Sequence, residues 1–140
     1  MGHRAVSTPY SVISTESSSC RKCGADGRVA SKKPIATNSI DTFATGLATR
    51  IPDARAVEII NQNAARVITV NDDEILHAQA LLLRDTHNLS EPAGAAAYAA
   101  LLKERHRMAR KRVGVILSGG NADIPNVLAI AQLRLNSGGP

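Results

Sequence analysis

The sequence predicts an α/β protein with too few strands for its helices. Residues 66–70 and 113–117 are short apolar runs, bounded by polar or glycine-rich stretches, as buried strands are. Around them, apolar residues recur at helical spacing. The resulting order of helix, strand, helices, strand and helix is that of an α/β fold. Two strands do not make the sheet that these helices need. The chain therefore reads as an incomplete portion of a larger α/β unit, or as one that a partner completes.

Residues 1–38 are rich in Ser, Thr, Lys, Gly and Pro and show no sustained apolar period, so they read as a poorly ordered arm. Val12 and Ile13 are the one hint of a strand in it. Residues 39–133 form the body. Ile40, Phe43, Ala44, Leu47 and Ala48 recur at helical spacing, with Gly46 inside the pattern. Glycine there costs about 1 kcal/mol against alanine, so it marks a break or the close approach of something flat.

Pro52 and Asp53 open a short helix with Ala56, Val57 and Ile60 inward. Asn71 is placed to cap the next helix, with Glu74 reaching back to it. Ile75, Leu76, Ala78, Ala80, Leu82 and Leu83 give that helix its buried face. The pattern breaks at residues 86–88, which puts His87 at a helix boundary without a catalytic role. Ser90-Glu91-Pro92 starts another helix, with proline in the first turn where its missing N–H is no loss. Its body, residues 93–102, has so little bulk that it can lie close against a neighbour. A last helix covers residues 125–133, and residues 134–140 are a tail.

At 140 residues the chain has room for one domain with a real core. With one Phe, two Tyr and no Trp, that core must be aliphatic and alanine-rich. Six of the 17 Lys and Arg residues lie between positions 103 and 112, and the net charge is +5. A solvated helix end accounts for the cluster, because positive charge there suits the helix dipole. No aromatic interleaving accompanies it, so nucleic-acid binding is not expected. No apolar run approaches the roughly 18 residues of a membrane span, and no signal-like segment follows Met1. A soluble cytoplasmic protein is the expectation. Cys20 and Cys23 form a solitary pair with only His3 near in sequence, too few ligands for zinc. They read as incidental thiols, and no metal site is expected.

The stretch Leu117-Ser118-Gly119-Gly120-Asn121 follows the second predicted strand and precedes a helix start near Asp123. It sets one hydroxyl, Ser118, at the carboxyl end of that strand, where open α/β sheets bind ligands. The plainer account is a connection that needs glycine only for its turn.

Three segments in order resemble one family: Asp41-Thr42-Phe43-Ala44-Thr45-Gly46-Leu47-Ala48, Thr86-His87-Asn88-Leu89-Ser90-Glu91-Pro92-Ala93-Gly94-Ala95, and Leu117-Ser118-Gly119-Gly120-Asn121. With these separations they are similar to the C-terminal part of the threonine/serine dehydratases. Those are fold-type II pyridoxal-phosphate enzymes, a family that includes serine racemase. The resemblance covers residues 36–131 and implies a cofactor-binding set of Ser118, Gly46, Glu91, Gly119 and Asn121. It implies that Ser118 meets the pyridine nitrogen, that Gly46 lies flat against a ring face, and that Glu91 lines the pocket near ring and substrate. Asn121 would hold the turn behind Ser118. Thr45 stands where the family commonly has aspartate.

A serine hydroxyl can donate to an unprotonated ring nitrogen, which suits loss of a β-hydroxyl better than transamination. The implied substrates are small hydroxy-amino acids, threonine or serine, converted to a 2-oxo acid and ammonia. The family's cofactor-anchoring lysine, in a Ser-Phe-Lys-type motif, and its glycine-rich phosphate loop do not occur in this sequence. Lys32 and Lys33 stand in a Ser-Lys-Lys-Pro context and take no catalytic role, and Glu16 lacks the acidic partners of a metal site. No catalytic residue is assigned. The expectation is a dehydratase portion that is inactive alone and binds pyridoxal phosphate poorly by itself. The alternative is a non-catalytic interaction module that pairs with another chain or a second copy of itself.

Overall fold

The computed structural model describes residues 10–15, 36 and 42–136. Strand β1 is Tyr10–Thr15, and a single 3-10 turn covers Thr45–Leu47. Helix α1, Ala54–Asn63, leads directly into strand β2, Ala64–Val70. Helices α2, Asp72–Thr86, and α3, Pro92–Lys103, follow, then the short α4, Arg105–Met108, and finally α5, Ile124–Asn136. The two strands pair in parallel, with Val12 beside Val67 and Ile13 beside Ile68. This is an α/β arrangement of few strands flanked by helices.

Local chemistry explains the helix ends. The Asn71 side chain accepts from the Glu74 amide at 2.8 Å while the Glu74 carboxylate accepts from the Asn71 amide at 2.9 Å, a complete capping box. Asp53 caps α1 by accepting from Ala56 N at 2.9 Å. Pro92 sits in the first turn of α3. Helix α2 ends at His87, whose φ of 58° is the left-handed turn that closes many helices.

The core joins Val70 of β2, Ile75 and Ala78 of α2, and Ala95, Ala96, Ala99 and Ala100 of α3, with Ala44 closing one end. Four alanines on one face of α3 let it lie close along α2, and α3 also touches both strands. Helix α5 packs on α2. The Lys103 ammonium donates to the Thr69 carbonyl oxygen at 2.9 Å and reaches the Glu74 carboxylate at 3.2 Å, joining the end of α3 to the end of β2.

Several expectations change or extend. Residues 113–117 are not a strand. A strand exists only where its backbone finds a ladder partner, and no described strand runs beside this run. Val113, Ile116 and Leu117 are left exposed, Ile116 at 81%. Residues 43–48 form only the 3-10 turn, because Asp72 holds the chain entering it in a non-helical path. Ala56 faces outward, leaving Val57 as the buried anchor of α1. Val12 and Ile13 belong to a paired strand, and α5 continues through Asn136. Cys20, Cys23, Lys32, Lys33, Glu16, Ile40, Asp41 and residues 137–140 lie outside the described residues.

Candidate functional site

Glu91 occupies the N-cap position of α3 in extended backbone, with φ −67° and ψ 159°, but its side chain caps nothing. The carboxylate is directed instead onto Gly119. A Cβ on Gly119 would collide with the Glu91 carboxylate carbon and both of its oxygens. Gly119 also has φ +70°, which L side chains adopt only with strain. The Glu91 amide donates to the Gly119 carbonyl oxygen at 3.2 Å, so backbone and side chain of one residue grip the same glycine.

Gly46 approaches from the other side. A Cβ there would stand 2.8 Å from Ala93 Cβ and 3.6 Å from Glu91 Oε1. The Glu91 carboxylate is thus flanked by the bare Cα atoms of Gly46 and Gly119. Gly46 is held in place by Asp72 at the start of α2. That carboxylate accepts from Thr42 Oγ1 at 2.5 Å and from the Phe43 amide at 3.1 Å, and Thr42 Oγ1 accepts in turn from the Ala44 amide at 3.1 Å. Three hydrogen bonds therefore fix the path of the chain just before the turn.

Ser118 enters through its backbone. Gly94, in the first turns of α3, lies so close to the Ser118 carbonyl that any side chain on it would overlap that oxygen. The Ser118 residue itself is exposed. Asn121 is also exposed and lines an adjoining cleft of about 350 Å³, together with Thr45, Pro92, Asp123 and Asn126. Gly46, Glu91, Gly119 and the Ser118 backbone are therefore brought together across more than seventy residues of sequence. Asn121 belongs to the neighbouring cleft.

Sequence reasoning missed Asp72, Gln79 and Asn126. Asp72 reads as an ordinary acidic residue in a first helical turn. Gln79 had a signal: it stands in the apolar stripe of α2, four residues after Ile75, yet is polar. It is fully buried and pairs with Asn126 across α2 and α5. Asn126 is legible only as part of a helix. Among the described residues no group of three or more His, Cys, Asp or Glu side chains is placed to hold a metal ion. No helix among them is long and apolar enough to cross a membrane.

The fold is that of a portion of a fold-type II pyridoxal-phosphate enzyme. Residues 5–119 match the family model for pyridoxal-phosphate dependent enzymes, and the chain belongs to that family. Its relatives include a serine racemase from Dictyostelium discoideum, 36% identical over 92 residues, or 64% of this chain and 28% of the relative. An L-threonine ammonia-lyase from Geobacter sulfurreducens is 34% identical over 98 residues, or 70% of this chain and 24% of the relative. The crystal structure of the T.th. threonine deaminase superimposes with a TM-score of 0.68 at 26% identity, covering 81% of this chain and 40% of that one. The chain thus spans about a quarter of the length of the curated relatives it matches.

Proposed function

We propose that this chain supplies the ring-nitrogen wall of a pyridoxal-phosphate pocket in a cytoplasmic lyase. The substrates are small hydroxy-amino acids such as L-threonine or L-serine, and the products are a 2-oxo acid and ammonia. The observation that carries this reading is the Glu91 carboxylate flanked by the bare Cα atoms of Gly46 and Gly119. Three segments remote in sequence meet there around one carboxylate, with glycine at the two positions where a side chain would collide.

Those residues fit the cofactor's ring end. In this reading the backbone of Gly46 would lie against a ring face. Ser118, exposed beside Gly119, has a hydroxyl free to turn its hydrogen toward an unprotonated ring nitrogen. Glu91 provides a carboxylate that can accept a hydrogen bond from the substrate or hold a proton near the ring. Asn121, which lines the adjoining cleft, would hold the turn behind Ser118 in this reading. Pyridoxal phosphate, when bound, supplies the electron sink that makes the substrate α-proton removable. The anchoring lysine and the phosphate-binding loop are not in this sequence, so the chain alone lacks the nucleophile and the anion site.

Two measurements test the reading. The 140-residue chain, given pyridoxal phosphate and L-threonine, forms no 2-oxobutanoate; robust turnover by it alone would overturn this account of the missing parts. A chimera carrying residues 42–133 in place of the matching segment of the Geobacter sulfurreducens L-threonine ammonia-lyase forms 2-oxobutanoate.

A second reading is favoured by the apolar surface around residues 113–128. Ile116 is 81% exposed and Ile124 76%, with Leu117 and Leu128 also exposed. In that reading the chain pairs through this surface with another chain, or with a second copy, and completes the sheet there. Light scattering across a range of concentrations tests it. A monodisperse monomer with a cooperative melt at every concentration contradicts it.

A further inference from the structure

Gln79 has no exposed surface, and every polar atom of its side chain is engaged. Its amide nitrogen donates to the Ser90 carbonyl oxygen at 2.7 Å and to Asn126 Oδ1 at 2.9 Å. Its Oε1 accepts from Asn126 Nδ2 at 3.0 Å. Both amide hydrogens are used. A polar side chain on the apolar face of a helix is costly to bury unless it is fully hydrogen-bonded. An aliphatic residue of similar size would serve packing alone.

What Gln79 holds is the peptide unit between Ser90 and Glu91. The oxygen of that unit is the Ser90 carbonyl, fixed by Gln79. Its N–H is that of Glu91, which donates to the Gly119 carbonyl oxygen. In a planar trans peptide the two groups point in opposite directions, so the plane is tied on one edge to α2 and on the other to the glycine loop. The same amide reaches α5 through Asn126, whose backbone N–H donates to Asp123 Oδ1 at 2.9 Å. Gln79 therefore connects the residue before Glu91 with the helix start that ends the Ser118–Asp123 loop.

We propose that Gln79 is a positioning residue for Glu91. By fixing the Ser90–Glu91 peptide plane, it sets where the Glu91 carboxylate lies between Gly46 and Gly119. The inference deepens the pocket reading and rests on it for its functional meaning, but its content is geometric and is measured without cofactor.

The experiment is amide hydrogen exchange, followed by NMR on the free 140-residue chain. In Gln79→Leu the Glu91 amide exchanges about tenfold faster relative to the Ala99 and Ala100 amides of α3, the effect of one lost hydrogen bond. Exchanging the two side chains, Gln79→Asn with Asn126→Gln, restores the paired amides and returns that ratio toward the parent value. Equal acceleration at Glu91, Ala99 and Ala100, or no change at Glu91, overturns the inference, because a purely structural role loosens the helix as a whole. If Gln79→Leu does not fold, Gln79→Asn alone is read the same way, since its shorter side chain does not span to Ser90. No pyridoxal phosphate is present, so failure here is separate from failure of the pocket reading, which the turnover of the chimera decides.

Discussion

Glu91 and Gly119 are joined twice: the Glu91 amide donates to the Gly119 carbonyl oxygen at 3.2 Å, and the Glu91 carboxylate covers the bare Cα of the same glycine. Neither contact is helix capping, although Glu91 stands at the N-cap position of α3. The acidic side chain is held over the loop instead.

The pair predicts a coupled cost. Gly119→Ala introduces a Cβ at φ +70° and drives it into the carboxylate. The backbone share of that cost is about 1–2 kcal/mol, and the collision adds to it. In the Glu91→Ala background only the backbone share remains. Urea unfolding of the two single variants and the double variant gives a coupling energy of about 1 kcal/mol.

Gly94→Ala tests the approach of α3 to the Ser118 backbone. Its Cβ would overlap the Ser118 carbonyl oxygen, and backbone yields less than a flexible side chain. The expected loss is about 1–3 kcal/mol, read as a lower unfolding midpoint. NMR shifts move at residues 117–121 before they move in α2.

Asp72→Ala removes the acceptor for Thr42 Oγ1 and the Phe43 amide. Both bonds end on a half-exposed carboxylate, so the loss in stability is about 1 kcal/mol. The more telling readout is local: amide exchange at Phe43 and Leu47 rises while the core of α3 stays protected.

Much of this architecture is legible in the residues. The capping box of α2 is written in Asn71 and Glu74, the start of α3 in Pro92, and its tight packing in the run of alanines and Gly94. These are local signals, each carried within a few residues of chain. Residues 113–117 show where local signals fail. Val113, Val115, Ile116 and Leu117 have strand composition, but a ladder needs a neighbour, and none is present among the described residues. The Gln79–Asn126 pair is hidden for another reason. Its members are 47 residues apart, and only the packing of α5 on α2 brings them together. The site shows both cases: Gly46, Glu91 and Ser118 stand out as a motif, whereas Asp72 and Gln79, which hold them, read as ordinary helix residues.

The most direct test of the central claim is the turnover of the chimera with and without the Ser118 hydroxyl. Residues 42–133, placed in the Geobacter sulfurreducens L-threonine ammonia-lyase, are predicted to give an enzyme that forms 2-oxobutanoate from L-threonine. Ser118→Ala in that chimera is predicted to lower kcat about tenfold, the effect of one hydrogen bond at the ring nitrogen. A folded, cofactor-loaded chimera that makes no product, or one whose kcat is unchanged by Ser118→Ala, would contradict the assignment of this wall to the pyridoxal-phosphate ring.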